Sequence, residues 1–305
     1  MRRLLLLSVL LVACKPPPPP APEGLDDSAR YMIREFYTAD PMFQAGLDGF
    51  MEWFDAEGFE LVGAQATADT TDSFTVGDLI ASDVAHLPLV EDPERDVANA
   101  KGIVSLSEMD CSFEETEDLL VRPDQYAVFD AWTDYERTWV TDRARYQDAT
   151  RSGAFAPVDE DLDVFAEGWA PGDLESTILL TDNRVDPKPV IIDLPWYEQS
   201  LHFRHGAFLV NGEEVRVFAI LTYVPASVWG EGGQNGLRQT YAVEINIERG
   251  PTTTLRLFAL WAEPVSDIAD PDDPFVLNYA VNTAQQNAQQ LSDICSGALE
   301  IDPES

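Results

Sequence analysis

The chain has 305 residues, 45% of them apolar, which is enough for one large or two modest folded domains. Asp and Glu number 55 against 19 Lys and Arg, a formal charge of −36. A field of that sign repels nucleic acid and anionic headgroups and excludes DNA or RNA as a partner, and the acidity itself reads as a strongly solvated surface.

Residues 1–14 read MRRLLLLSVLLVAC. Arg2 and Arg3 precede an apolar run over residues 4–12, too short to span a bilayer as a helix. Closed by Leu11-Val12-Ala13-Cys14, the segment resembles the lipobox signal peptide of bacterial lipoproteins. The resemblance implies that residues 1–13 are removed, that Cys14 is lipidated, and that the membrane is a partner through the lipidated N-terminus. Asp after the cysteine is the usual inner-membrane retention signal in this class. Lys15 stands there instead, which implies a cell-envelope protein anchored in the outer membrane. Loss of Arg2 and Arg3 takes the formal side-chain charge to −38. Residues 14–27 follow as a Pro-rich tether. Five prolines at 16–20 and then Ala21-Pro22 form a stiff polyproline II spacer, reaching up to ~40 Å at ~3.1 Å per residue.

Residues 28–99 read as a helical and irregular extension. Tyr31, Ile33, Phe36 and Tyr37 mark a helix over 28–37. Asp40-Pro41 suits the cap and first position of a second helix, where Phe43, Leu47, Phe50 and Phe54 recur at helical spacing and Gly58 is the stop. Residues 64–99 show no clear period. Residues 102–111 alternate as a strand. Ser112 and Glu115 then form a capping box for a short helix to Val121, stopped by Pro123. A further short helix is predicted to hold Tyr126, Phe129, Ala131 and Trp132, and a long acidic excursion occupies 141–175 with one helix near 142–150.

From residue 176 the pattern turns to β, with strands predicted at 176–181, 189–194, 200–210, 214–224, 237–248 and 253–262. Asn211-Gly212 is a hairpin turn between two of them. The strand at 214–224 is apolar on both faces and should lie centrally, whereas 237–248 alternates as a half-buried antiparallel strand. The last helix opens at Asp273-Pro274 and ends at Gly297. Its narrow apolar stripe is Leu277, Val281, Ala284, Ala288, Leu291 and Cys295. Residues 298–305 are a tail. With Cys14 lipidated, Cys111 and Cys295 remain as an even pair in an oxidising compartment, and a disulfide between them is expected.

Strand, two short helices, several antiparallel strands and a long final helix together resemble the START-like helix-grip fold. That superfamily includes lipid-transfer domains, polyketide cyclases and plant ligand-binding proteins. The matching runs are Asp110-Cys111-Ser112-Phe113-Glu114-Glu115 through Tyr126, Trp132 and Tyr135, and Pro274-Phe275-Val276-Leu277-Asn278, so the resemblance spans residues 100–297. It implies an α+β fold in which a curved antiparallel sheet grips the C-terminal helix, here with an N-terminal helical extension. It also implies a cavity for an apolar small molecule or lipid. The acidic excursion and the first hundred residues have no counterpart in that family. By alternation, Val217, Leu221, Tyr241, Val243, Leu257 and Trp261 are assigned to the cavity wall, facing Ala284 and Ala288. The alternative is a ligand-free structural or protein-interaction lipoprotein of the outer membrane.

Catalytic signatures are lacking: the sequence has no G-x-S-x-G, H-E-x-x-H or G-x-x-x-x-G-K-[ST]. His202 and His205, three apart on a strand, point to opposite faces and share no metal. Asp159, Asp161 and Asp163 begin like a calcium loop, but Val164 stands where Gly is needed and Ala170 where Glu is needed. No catalytic residue, metal or cofactor is assigned, and an irregular calcium contact at those aspartates stays open. Cys14→Ser should move the protein from the membrane to the soluble fraction. An uncleaved variant still sedimenting with membranes would contradict lipidation.

Overall fold

The computed structural model describes residues 21–142, 144–145, 148, 176–189, 193–233, 235–266 and 273–301. Cys14, the signal peptide, most of the tether, most of the acidic excursion and the Asp159 loop lie outside these residues. The chain runs α1 (Gly24–Arg34), α2 (Asp40–Ala56), β1 (Thr75–Val76), α3 (Ala81–Val84), β2 (Lys101–Met109), α4 (Phe113–Val121) and α5 (Gln125–Val128). It continues through β3 (Trp132–Trp139), β4 (Thr177–Pro187), β5 (Tyr197–Val210), β6 (Glu213–Tyr223), β7 (Val228–Trp229), β8 (Gly236–Gly250) and β9 (Thr253–Val265) to the C-terminal helix α6 (Pro274–Cys295).

The strands form one antiparallel sheet in the order β1-β2-β9-β8-β6-β5-β4-β3, with β7 paired to β8. The first long strand thus returns beside the last, and α4, α5 and α6 pack on the same side. This is the helix-grip plan expected from the element order. The β5–β6 hairpin turns at Asn211 (φ 53°) and Gly212 (φ 81°), the two positive values a two-residue turn requires. Ser112 caps α4 with Glu115 reaching back, as the capping box predicts, and Asp273 caps α6.

Several boundaries differ from expectation. The first helix begins at Gly24, inside the predicted tether. Asp40 is the first residue of α2 rather than its cap, because its carboxylate is engaged by Arg204 and Ser176. No strand forms at 189 or 193–194, which belong to the connection between β4 and β5. Trp132 opens strand β3 rather than sitting in a helix. The alternation there is masked by charge, since Asp134, Glu136 and Arg137 lie on an edge strand.

Both faces of the sheet are covered. On one, α1, α2 and the strand side chains share a core that includes Ile33, Leu47 and Phe50. On the other, Phe203, Phe218 and Ile220 pack with Phe113, Leu119, Ala288 and Leu291, while Ile103 packs with Val281. Fully buried Arg204 fastens the first cover. Its guanidinium donates to Ser176 Oγ (3.0 Å), Phe36 O (2.7 Å) and Asp40 Oδ1 (2.6 Å), and lies 4.4 Å over the Phe43 ring. The second cover is fastened by the Cys111–Cys295 disulfide, with Cα atoms 5.3 Å apart and a sequence separation of 184. It joins the residue before the Ser112 cap of α4 to the last residue of α6. A Cys111→Ala/Cys295→Ala variant should lose about 2–4 kcal/mol in urea unfolding. Non-reducing peptide maps of exported protein should contain the linked peptide, and two free thiols there would contradict the bridge.

Candidate functional site

The predicted cavity wall divides between the two faces. Val217, Leu221, Tyr241, Val243, Leu257 and Trp261 do share one face of the sheet, as alternation requires. That face packs against α1 and α2. Ala284 and Ala288 are buried on the opposite side. The eight residues therefore do not enclose one space. The strand faces turned toward α6 carry different side chains. Arg256 donates to Glu244 (2.8 and 2.7 Å) and to the Ala284 carbonyl (3.1 Å), and Asn246 donates to the same Glu244 (3.0 Å). His205 Nδ1 pairs with Glu117 there, and burial raises the Glu117 pKa. These partially compensating contacts satisfy charges that would otherwise be costly under a helix.

An open cleft of about 670 Å³ lies elsewhere, on the α2 side of β3, β4 and β5, and a second space of about 710 Å³ lies between α2 and the β5–β6 turn. Strand register lays the floor of the cleft in rows. One row is Thr138, Asp182, Ser200 and Tyr223, and the next is Glu136, Arg184 and Glu198. On the other side of the first row, Leu180 stands opposite His202. The walls are His86, Leu87 and Pro88 from the extension, together with Pro225, Arg145 and Asp148. Val90 N and Arg95 Nη1 both donate to Pro225 O, which holds this part of the extension against the end of β6. The cleft exists because α1 and α2 cover this face only as far as Tyr37.

His202 is 3% exposed, and its Nδ1 pairs with the Tyr37 hydroxyl. Its ring meets Tyr223 edge-on at 5.5 Å, and Tyr37 meets His86 likewise at 5.4 Å. Burial pushes the His202 pKa down to about 3 and that of Tyr223 up to about 12, and raises Tyr37 as well. The three rings are therefore neutral at ordinary pH. Among the described residues, no protein group bonds His202 Nε2, which leaves it for the cleft.

The sequence placed His202 and His205 on opposite strand faces, and so they are. It did not single out Glu198, Ser200 or Tyr223. The available signal was Glu198, Ser200 and His202 recurring with period two, polar side chains on one face of a long strand. Starting that strand at residue 200 cut the signal short, and reading Trp132 as helical hid the contribution of β3.

No protein-family model and no curated protein matches the chain. Among solved structures, the chain is similar to a START superfamily protein from Mycobacterium smegmatis. The similarity is 15% in sequence, covers 65% of this chain and 99% of that one, and has a TM-score of 0.35. The helix-grip plan follows from strand order and helix placement alone.

Acid should expose the role of His202. The unfolded imidazole takes up its proton near pH 6.5, whereas the folded one does so only near pH 3. Protonation therefore favours unfolding progressively as pH falls through that window. In His202→Gln, which keeps a side-chain amide able to pair with Tyr37, the stability lost between pH 7 and pH 4 should shrink by on the order of 3 kcal/mol relative to the native chain. Urea midpoints at the two pH values measure it, and an unchanged difference would mean that the imidazole is not buried neutral.

Proposed function

We propose that this chain is an envelope lipoprotein, anchored through Cys14 to the outer membrane, whose folded part binds a small molecule in the cleft beside His202. A cleft of ligand size with the nearly buried His202 on its floor carries the reading. About 670 Å³ lies within the range that encloses metabolite-sized ligands, and the lining is largely polar and charged, with Leu87, Pro88, Val140, Leu180 and Pro225 as its apolar part. Ser200, Tyr223 and His202 Nε2 supply hydrogen bonds, while Leu180, Pro88 and Pro225 supply apolar surface. This chemistry suits a ligand that is part apolar and part polar better than a bare acyl chain. The proline spacer would hold the cleft clear of the membrane surface.

A ligand-free structural role is the competing reading, favoured by the side chains that fill the α6 side of the sheet. Mass spectrometry of small molecules co-purified with the protein from native membranes separates the two. Thr138 lines the cleft from an exposed position on β3, so Thr138→Trp should fill it without entering the core. The expected result is a specific compound retained by the native chain and lost, at least tenfold, from a Thr138→Trp variant of unchanged circular dichroism. If neither chain retains a compound, the structural reading takes its place.

A further inference from the structure

We infer that the cleft is selective for a small organic cation, an amine or amidine attached to an apolar or aromatic body. The inference rests on the cleft being a binding site and names the charge class of its ligand.

Four carboxylates line the space, Glu136, Asp148, Asp182 and Glu198, against two guanidiniums, Arg145 and Arg184. Both guanidiniums are already engaged. Arg145 lies 2.5 Å from Asp182 Oδ2. Arg184 lies 3.9 Å from Glu136 and 4.3 Å over the exposed Trp196 ring. Glu198 and Asp148 have no cationic partner among the described residues. The rings on the floor do not offset them, since buried His202 stays neutral and Tyr223 keeps its proton. Against the described residues an anion would therefore meet net negative charge, and the chain's overall charge of −36 steers in the same direction.

His202 offers the ligand a hydrogen-bonding atom independently of that charge. It is almost wholly buried, it lines the cleft, its Nδ1 is held by Tyr37, and its Nε2 has no bonding partner among the described residues. An N–H donor in the cleft fixes the tautomer. The Nδ1 hydrogen is donated to Tyr37 Oη, and the Nε2 lone pair accepts from the ligand. In strand register Glu198, Ser200 and His202 lie in succession along one face of β5. A cationic head thus has a carboxylate at the rim and neutral acceptors deeper in, while its apolar body lies against Leu180, Pro88 and Pro225.

The test is an NMR titration of the full-length protein in uncharged detergent with three probes of like shape, benzylamine, benzyl alcohol and benzoate. Benzylamine should bind at least tenfold more tightly than benzyl alcohol, and benzoate least. Glu198→Gln should weaken benzylamine by about tenfold and leave benzyl alcohol unchanged. Raising the salt should weaken benzylamine alone. The ¹⁵N shift of His202 Nε2 should move to the value of an accepting nitrogen. Equal or tighter binding of benzyl alcohol or benzoate, or benzylamine binding insensitive to Glu198→Gln, overturns the cation class while the binding site stands. If no probe binds and a compound still co-purifies in a Thr138-dependent manner, the cation class falls alone. If neither is seen, both readings fall.

Discussion

A sheet of long antiparallel strands whose middle members are buried on both faces cannot be left half-open to water, and the architecture follows from that constraint. The chain supplies two covers from opposite ends of its sequence. The N-terminal helices α1 and α2 close one side, and α4, α5 and the C-terminal α6 close the other. The extension that has no counterpart in the helix-grip plan is thus continuous with the largest core of the molecule. Arg204 shows how closely it is joined. A buried cation reaches from the sheet to the carbonyl end of α1 and the first residue of α2, and its cost is offset by Asp40 and three further contacts.

The two interfaces are chemically different. Under α1 and α2 the strand side chains are, apart from Arg204 and His202, mainly aliphatic and aromatic, as suits an amphipathic helical pair with Phe43, Leu47 and Phe50 on its inner face. Under α6 the helix offers only a narrow stripe with two alanines, and the sheet answers with an internally paired network of Glu244, Asn246 and Arg256. A narrow stripe buries little apolar area, so the disulfide at the end of α6 adds a covalent tie where packing alone contributes least.

Incomplete coverage is what creates a candidate site. The first cover ends at Tyr37, and β3, β4 and β5 extend beyond it, leaving their exposed row of polar side chains beside the His86-Leu87-Pro88 segment. At the boundary the last aromatic of the cover, Tyr37, meets the first polar side chain of the floor, His202. The site is therefore built from the seam between extension and sheet, not from the space between sheet and C-terminal helix where the family resemblance placed a cavity.

The sequence by itself determined the local features that depend on neighbours in the chain. These are the capped α4, the hairpin at Asn211-Gly212, the α6 stripe, the opposed directions of His202 and His205, and the Cys111–Cys295 pair, counted once Cys14 is set aside as the lipobox resemblance implies. Each follows from short-range geometry or from counting. Alternation also grouped Val217, Leu221, Tyr241, Val243, Leu257 and Trp261 correctly on one face. It could not say which cover that face would meet, because period two assigns side chains to sides without naming what lies beyond them. Only the tertiary structure decided that the more apolar side faces α1 and α2, that Glu244 and Arg256 neutralise each other beneath α6, and that the charged edge strand β3 borders a cleft. The rows of that cleft bring together residues from positions 86 to 225, and it is the register between strands, with the point at which a distant helix stops, that makes them neighbours.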